Sequence, residues 1–454
     1  MIEKLVLGVA RARHPWFNQV FGMSQELLAR DDAVELAELE RIEARVFGPG
    51  GVRVLDDRPV LQACRMCLAS AYGKRSLQRP GLRWARVAAN FVGLLPLTVG
   101  LAVSSRRPRG TPAAATFCYL PAERYGEEAR RVLGEDTLAT AEKRPLLSFR
   151  ALAFLIRAVW TEPRLLLAPE VVSNALRWLS YYEHAVTAHG PQVIGNFAEG
   201  VTSMPLVTLF MRELGVQSVN LQHGERLVNR QVAFMLFDEC LFWSAKYAQV
   251  YADSRSLAKK VWLTGNGLHR RLARERASWA VRPRRLVVIH HRIPDMPRTY
   301  TDGVLRLAKA LGPDWEVSVR PHPQDGGLWQ EIAAQLAKTA AGREVQIEHA
   351  RDVALFDVVT RARLVVGATS TAIIESWIGG AKVVLVPGMA KPESALEPYG
   401  GSPNVLWLDD GVSDEELLSF VQADRTDDDT ERARIDRITL VSQEQPIEWE
   451  GVAS

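Results

Sequence analysis

Two short stretches carry side chains suited to phosphate and hydroxyl chemistry. The first, "GATSTAIIE", covers residues 367–375. Gly367 lets the chain turn tightly and lets a ligand approach the backbone. Ser370 or Thr371 suits a helix cap, and amides beside a hydroxyl at a helix start form a ready phosphate site. Glu375 lies about one turn beyond Thr371 on the same helical face, where a carboxylate could accept both hydroxyls of a ribose. The plainer reading is a cap that binds nothing and a solvated Glu375, but "AIIESWI" is otherwise apolar. The second stretch is "RPHPQD", residues 320–325, with His322 between Pro321 and Pro323. Both prolines lack a donor and stiffen the loop. An imidazole held there could donate to a phosphate oxygen, with Arg320 adding charge.

Three more loops supply candidates. "LQHGER" gives His223 and "AEG" gives Glu199, each before a glycine at the end of an apolar run. Either could take a proton from an attacking hydroxyl, and either could equally be a cap or loop hydrogen-bonder. "VVIHHRIPD" offers His290, His291 and Arg292. Arg292 joins the anion-binding candidates. No second carboxylate cluster accompanies the two histidines, so no metal site is expected.

These residues sit at the ends of expected strands. Residues 1–190 read as a mostly helical N-terminal region. Residues 191–273 then alternate strand and helix, 274–285 form a polar, basic linker, and 286–424 alternate again. A charged tail, 425–454, follows as a solvated helix or loose end. Alternation of this kind implies parallel sheets with crossover helices, that is, an α/β chain of two Rossmann-like domains facing a cleft. Ligands of such sheets lie beyond the carboxyl ends of the strands.

Bulk properties narrow the classes. With 454 residues, 47% apolar and 24% charged, the chain has the balance of a folded protein with room for two domains. A formal charge of +3 gives no support to nucleic acid as the main partner. Cys64 and Cys67 form a C-x-x-C, expected to be core thiols rather than a zinc or redox pair, and the cysteine usage suits a reducing cytosol. The N-terminus carries Glu3 and has no long apolar core, so no secretory signal is expected. Residues 87–105 hold no charge and are flanked by arginines. A buried helix is the plain reading, a contact with anionic lipid the second, and a membrane span the third. Neither a G-K-S/T phosphate loop nor a dinucleotide G-x-G-x-x-G is present in the required context, which weakens ATPase and dehydrogenase readings.

Across residues 190–410 the motifs resemble bacterial surface-polysaccharide glycosyltransferases of the two-Rossmann-domain (GT-B) type. The nearest in appearance are capsule Kdo-transferases, bacterial sialyltransferases and teichoic-acid glycerophosphotransferases. His322-Pro323 is similar to the His-Pro motif that contacts the donor nucleotide in the sialyltransferase groups, and Ser370-Thr371 to their hydroxyl motif at a helix start. Their acidic base loop matches Ala198-Glu199-Gly200, where one acid is missing. The His-Gly loop of the teichoic-acid and capsule enzymes matches His223-Gly224. The base is thus Glu199 or His223. The resemblance implies metal-independent transfer of a sugar from a nucleotide-activated, CMP-linked donor to a hydroxyl of a surface glycan, with no cofactor. It also implies lipid-linked acceptors at the cytoplasmic face of the inner membrane. A two-domain UDP-sugar epimerase and a non-catalytic glycan-assembly scaffold are the alternatives.

Overall fold

The computed structural model describes residues 32–48, 50–55, 57–76, 116–119, 130, 133, 137–140, 148–196, 201–222, 228, 230, 233–275, 279–290, 298–322, 327, 329–339, 344–349, 352–387, 392–439 and 447–448. Glu199, His223, Arg292 and the uncharged stretch 87–105 lie outside them. The chain forms two compact units, the second beginning at Gly265.

The first unit runs through helices α1 (Asp32–Phe47) and α2 (Pro59–Ser76), strands β1 (Thr116–Tyr119) and β2 (Thr137–Thr140), and helices α3 (Phe149–Thr161) and α4 (Pro169–His189). It continues with β3 (Val193–Asn196), α5 (Met204–Glu213), β4 (Gln217–Leu221), β5 (Leu236–Phe242), α6 (Ala245–Asp253) and β6 (Leu257–Leu263). The sheet order is β6-β5-β4-β3-β1-β2, all parallel. A short strand, Ile447–Glu448, runs antiparallel along β6. The region expected to be mostly helical therefore also supplies two strands, and the sheet begins well before residue 191. Four-residue strands are too short to show a period in the sequence; pairing with β3 defines them.

Cys64 and Cys67 are buried, free thiols of α2. Burial pushes both up, Cys67 to about 12, so neither is a nucleophile near neutral pH. A buried ion pair ties α1 to the segment after β4. The Arg230 side chain donates to Glu35, with Nη2 at 2.6 Å from Oε1, and the Arg230 backbone N donates to Glu35 Oε2 at 3.0 Å. Gly73 of α2 lies against the same segment, where a Cβ would stand 2.6 Å from the Arg230 carbonyl oxygen.

The second unit contains α7 (Gly267–Glu275), β7 (Arg285–His290), α8 (Arg298–Ala310), β8 (Glu316–Pro321), α9 (Trp329–Thr339), β9 (Val345–Ile347), α10 (Leu355–Arg361) and β10 (Leu364–Gly367). It ends with α11 (Thr371–Ile378), β11 (Lys382–Leu385), α12 (Pro392–Leu396), β12 (Val405–Trp407), α13 (Asp414–Gln422) and α14 (Asp429–Thr439). Its central strands β7, β10 and β11 are buried throughout, as expected of a parallel sheet covered on both faces. In α8 the buried residues are Tyr300, Gly303, Val304, Leu307 and Ala308, a regular apolar helical stripe. Gly303 is a close-contact point: a Cβ there would meet Val386 Cγ1 at 2.9 Å.

Two segments differ from expectation. The stretch read as a linker belongs to the second unit: Arg282 is buried and donates to the carbonyl oxygens of Val359 (3.2 Å), Ala362 (2.8 Å) and Gly379. The charged tail contributes α14, whose Glu431 is fully buried. Glu431 accepts from Trp377 Nε1 (2.6 Å), Ser402 Oγ (2.6 Å) and Asn404 Nδ2 (2.7 Å). Distant partners, invisible in the local charge pattern, keep this carboxylate inside.

Candidate nucleotide site

The second sheet runs β12-β11-β10-β7-β8-β9, with every strand parallel. Numbered from β7, this is the order 3-2-1-4-5-6. The chain winds one way through β8 and β9, then returns to the other side of β7 with β10. Helices leave the two central strands toward opposite faces, opening a crevice at their carboxyl ends, where ligands of such sheets bind.

The register shows what borders that crevice. Gly367 pairs with Ile289, and Ile289 with Arg320 on the far side. His290 ends β7 opposite Pro321, and His322 follows as an exposed residue. His290 is buried, packed edge-on against Tyr300 with ring centroids 6.0 Å apart. Tyr300 Oη in turn donates to the Ile289 carbonyl oxygen at 3.2 Å. The sequence marked His290 only as part of a histidine pair; its place at the end of the central strand comes from the topology.

Each candidate from the sequence has a definite setting. Ser370 is the N-cap of α11, extended in backbone, its Oγ accepting from Ile373 N at 3.4 Å. Thr371 opens the helix, half-buried. The first turn of α11 lies at the positive end of the helix, the arrangement that favours an anion. Glu375 is only 3% exposed, so it is not the solvated helix residue of the plainer reading. Arg320 is a strand residue rather than a loop residue. It is buried, and its Nη1 donates to the Val353 carbonyl oxygen at 3.0 Å, which fixes the guanidinium against the segment leading to α10. Gly367 owes its identity first to packing, since a Cβ would meet Ile289 O at 2.8 Å and Ile373 Cδ1 at 2.9 Å.

In the first unit the reversal lies between β1 and β3. Asn196 ends β3 opposite Tyr119 of β1 and in register with Asn220 of β4. It is buried, accepts from Tyr182 Oη, and donates from Nδ2 to Ser218 Oγ at 3.4 Å. The segment bearing Glu199 leaves from this strand end. The segment bearing His223 follows Gln222, whose Oε1 accepts from Trp243 N at 2.9 Å. Asn196 was not singled out in the sequence, although a polar residue closing the apolar run "VIGN" was the available signal. Among the described residues, no three His, Cys, Asp or Glu side chains are grouped to hold a metal ion, and no helix is long and apolar enough to cross a membrane.

No protein-family model matches the chain. No curated protein matches it either. Solved structures do. Staphylococcus aureus MnaA in its UDP co-structure matches at 11% identity over 72% of this chain and 91% of that one, with a TM-score of 0.43. Anabaena HepE in complex with UDP and glucose matches at 14% identity over 73% and 95%, TM-score 0.41. The UDP-GlcNAc 2-epimerase of Neisseria meningitidis bound to UDP-GlcNAc matches at 11% identity over 72% and 94%, TM-score 0.39.

Proposed function

We propose that the chain is a nucleotide-sugar-dependent glycosyltransferase of the GT-B type, acting without a metal ion on a bacterial surface-glycan acceptor. One observation carries the reading: the reversal of strand order in the second unit occurs where His290, Gly367 and Ser370-Thr371 end or follow adjacent strands, with His322 one strand further out. Donor phosphates would lie against the first turn of α11 and His322. The anomeric carbon exchanges its bond to the donor phosphate for a bond to the acceptor oxygen. Negative charge grows on the departing nucleotide, and preorganised donors there lower the barrier. His322, the α11 amides, Arg320 and Arg292 are the proposed donors. Glu375 is the proposed ribose partner, and Glu199 or His223 takes the acceptor proton. A cytidine-linked donor and a lipid-linked acceptor at the inner membrane rest on the resemblance of His322-Pro323 and its neighbours.

The reaction is tested by product analysis with CMP- and UDP-linked sugars, with and without a glycan acceptor. Transfer that requires acceptor and persists in EDTA is expected. An isomerised nucleotide sugar formed without acceptor would overturn the transferase reading in favour of an epimerase.

A further inference from the structure

Helix α11 is gripped at the end opposite its proposed ligand. It has eight residues, about 12 Å of length, and is too short to be stable by itself. Its amino end, capped by Ser370, follows β10; its carboxyl end is capped by Gly379. Two buried guanidinium groups reach that second end. Arg282, from the segment between α7 and β7, donates from Nη1 to the carbonyl oxygens of Val359 and Ala362 in the last turn and C-cap of α10. From Nη2 it donates to the Gly379 carbonyl oxygen. One side chain thus ties the carboxyl ends of α10 and α11 together. The ends also touch, since a Cβ on Gly379 would meet Val359 Cγ2 of α10 and Leu272 Cδ2 of α7 at 3.3 Å. Arg425, beyond α13, donates from Nη2 to the Trp377 carbonyl oxygen at 3.0 Å. Glu431 of α14 stands 4.0 Å from Arg425 and accepts from Trp377 Nε1 at 2.6 Å.

Such a grip costs something. Taking a guanidinium out of water is unfavourable, and the last carbonyls of a helix can be satisfied by water or a turn instead. What the planar fork adds is direction: two or three donors in fixed relation set the orientation of what they hold. Cations at the carboxyl end also complement the helix dipole. With β10 fixing one end and the arginines the other, the first turn of α11 has one position against the ends of β7 and β8. The lever is short and sensitive. A tilt of about 5° about the carboxyl end moves the first turn by about 1 Å over the length of the helix. A shift of about that size is enough to spoil the geometry of a bound group.

We infer that Arg282 and Arg425 are positioning residues of the nucleotide site: by clamping the carboxyl end of α11 they hold its first turn in place for a donor phosphate. The inference rests on the donor site proposed at the β7–β10 reversal. The test is calorimetric titration of CDP, UDP, cytidine and uridine into the full chain and into Arg282→Lys and Arg425→Lys. Lysine keeps the charge and gives up the fork, so the variants isolate orientation from charge. Each is expected to bind the diphosphate about tenfold more weakly, the worth of a displaced hydrogen bond to a charged group, while nucleoside affinity stays that of the wild type. The fall in the ratio of diphosphate to nucleoside affinity is the deciding readout, because general loosening of the second unit would lower both. Arg284→Lys is the control; that arginine lies on the same segment, pairs with Asp314 at the surface, and should bind as the wild type does. Thermal unfolding confirms that the variants fold. Folded variants with wild-type diphosphate affinity, or with parallel losses for diphosphate and nucleoside, overturn this inference and leave the donor site standing. Failure of both lysine variants to fold also overturns it, since the arginines would then serve the fold alone. A wild type that binds neither diphosphate overturns the donor site and this inference together.

Discussion

Gly367 and Ile289 face each other across the β10–β7 ladder so closely that a Cβ on Gly367 would stand 2.8 Å from the Ile289 carbonyl oxygen. That carbonyl also accepts from Tyr300, so it cannot withdraw without loss. Gly367→Ala is therefore expected to destabilise the second unit by about 1–3 kcal/mol, as overpacking does. It should also weaken nucleotide binding by displacing the turn to Ser370. Denaturant unfolding of the variant is the check. Wild-type stability with lost nucleotide affinity would mean that the glycine serves only ligand approach.

A second expectation concerns the ion pair between Arg230 and Glu35. Removing the carboxylate takes away the close partner of a buried guanidinium and leaves Glu38, with Oε2 3.7 Å from Arg230 Nη1, as a weaker one. Glu35→Ala is expected to cost about 3–5 kcal/mol in the unfolding of the first unit. The segment it holds follows His223 closely in the sequence, so turnover should fall more than nucleotide affinity. Unfolding within about 0.5 kcal/mol of wild type would show that the pair does not anchor α1.

Acid should weaken the second unit through His269. The ring is fully buried in α7, and burial pushes it down to about 3 from an ordinary 6.5. The folded protein keeps the ring neutral while the unfolded chain binds a proton below pH 6.5. Stability from this residue is present above that pH and lost as pH falls toward 3, about 2 kcal/mol by pH 5. Urea midpoints at pH 7 and pH 5 should show a smaller acid loss in His269→Leu than in wild type. Equal losses would mean that the folded protein accepts the proton.

Much of the second unit was legible because its central strands are short apolar runs, "RLVVIH", "LVVG" and "KVVL", the first two closed by histidine and glycine. The helices between carry regular apolar spacing. Arg320 was misplaced into a loop because Pro321 follows it, yet proline without a donor is acceptable as the last residue of a strand. Strands β1 and β2, "TFCY" and "TLAT", show no alternation of their own and become strands only by pairing with β3. Glu431 read as part of a solvated charge run because its partners Trp377, Ser402 and Asn404 come from elsewhere in the chain. The apolar content of α3 was visible in the sequence, but which side of it would face outward was set by packing against α2 and α4.

Glu199 and His223 give opposite outcomes for one pair of variants. Glu199→Gln and His223→Asn remove a base while keeping size and hydrogen-bonding capacity. The residue that takes the acceptor proton should lose turnover by about 10²–10⁴-fold with donor affinity nearly intact. The other should lose little. Full turnover in both variants would remove the acceptor chemistry assigned to the first unit.

The donor site is tested most directly by titrating CMP, CDP, UDP and GDP into the wild type, His322→Ala, Ser370→Ala and Glu375→Gln by calorimetry. Cytidine nucleotides are expected to bind the wild type. His322→Ala should bind them about tenfold or more weakly, the loss of a hydrogen bond to a charged group, while unfolding like the wild type because the residue is exposed. Ser370→Ala should lose about 1 kcal/mol of stability for its cap and weaken binding as well. Glu375→Gln should weaken nucleotides through the ribose. Tighter UDP than CMP binding would replace the cytidine assignment and leave the site in place. A wild type that binds none of the four nucleotides, or a His322→Ala protein that binds them as the wild type does, would contradict the donor site at the β7–β10 reversal.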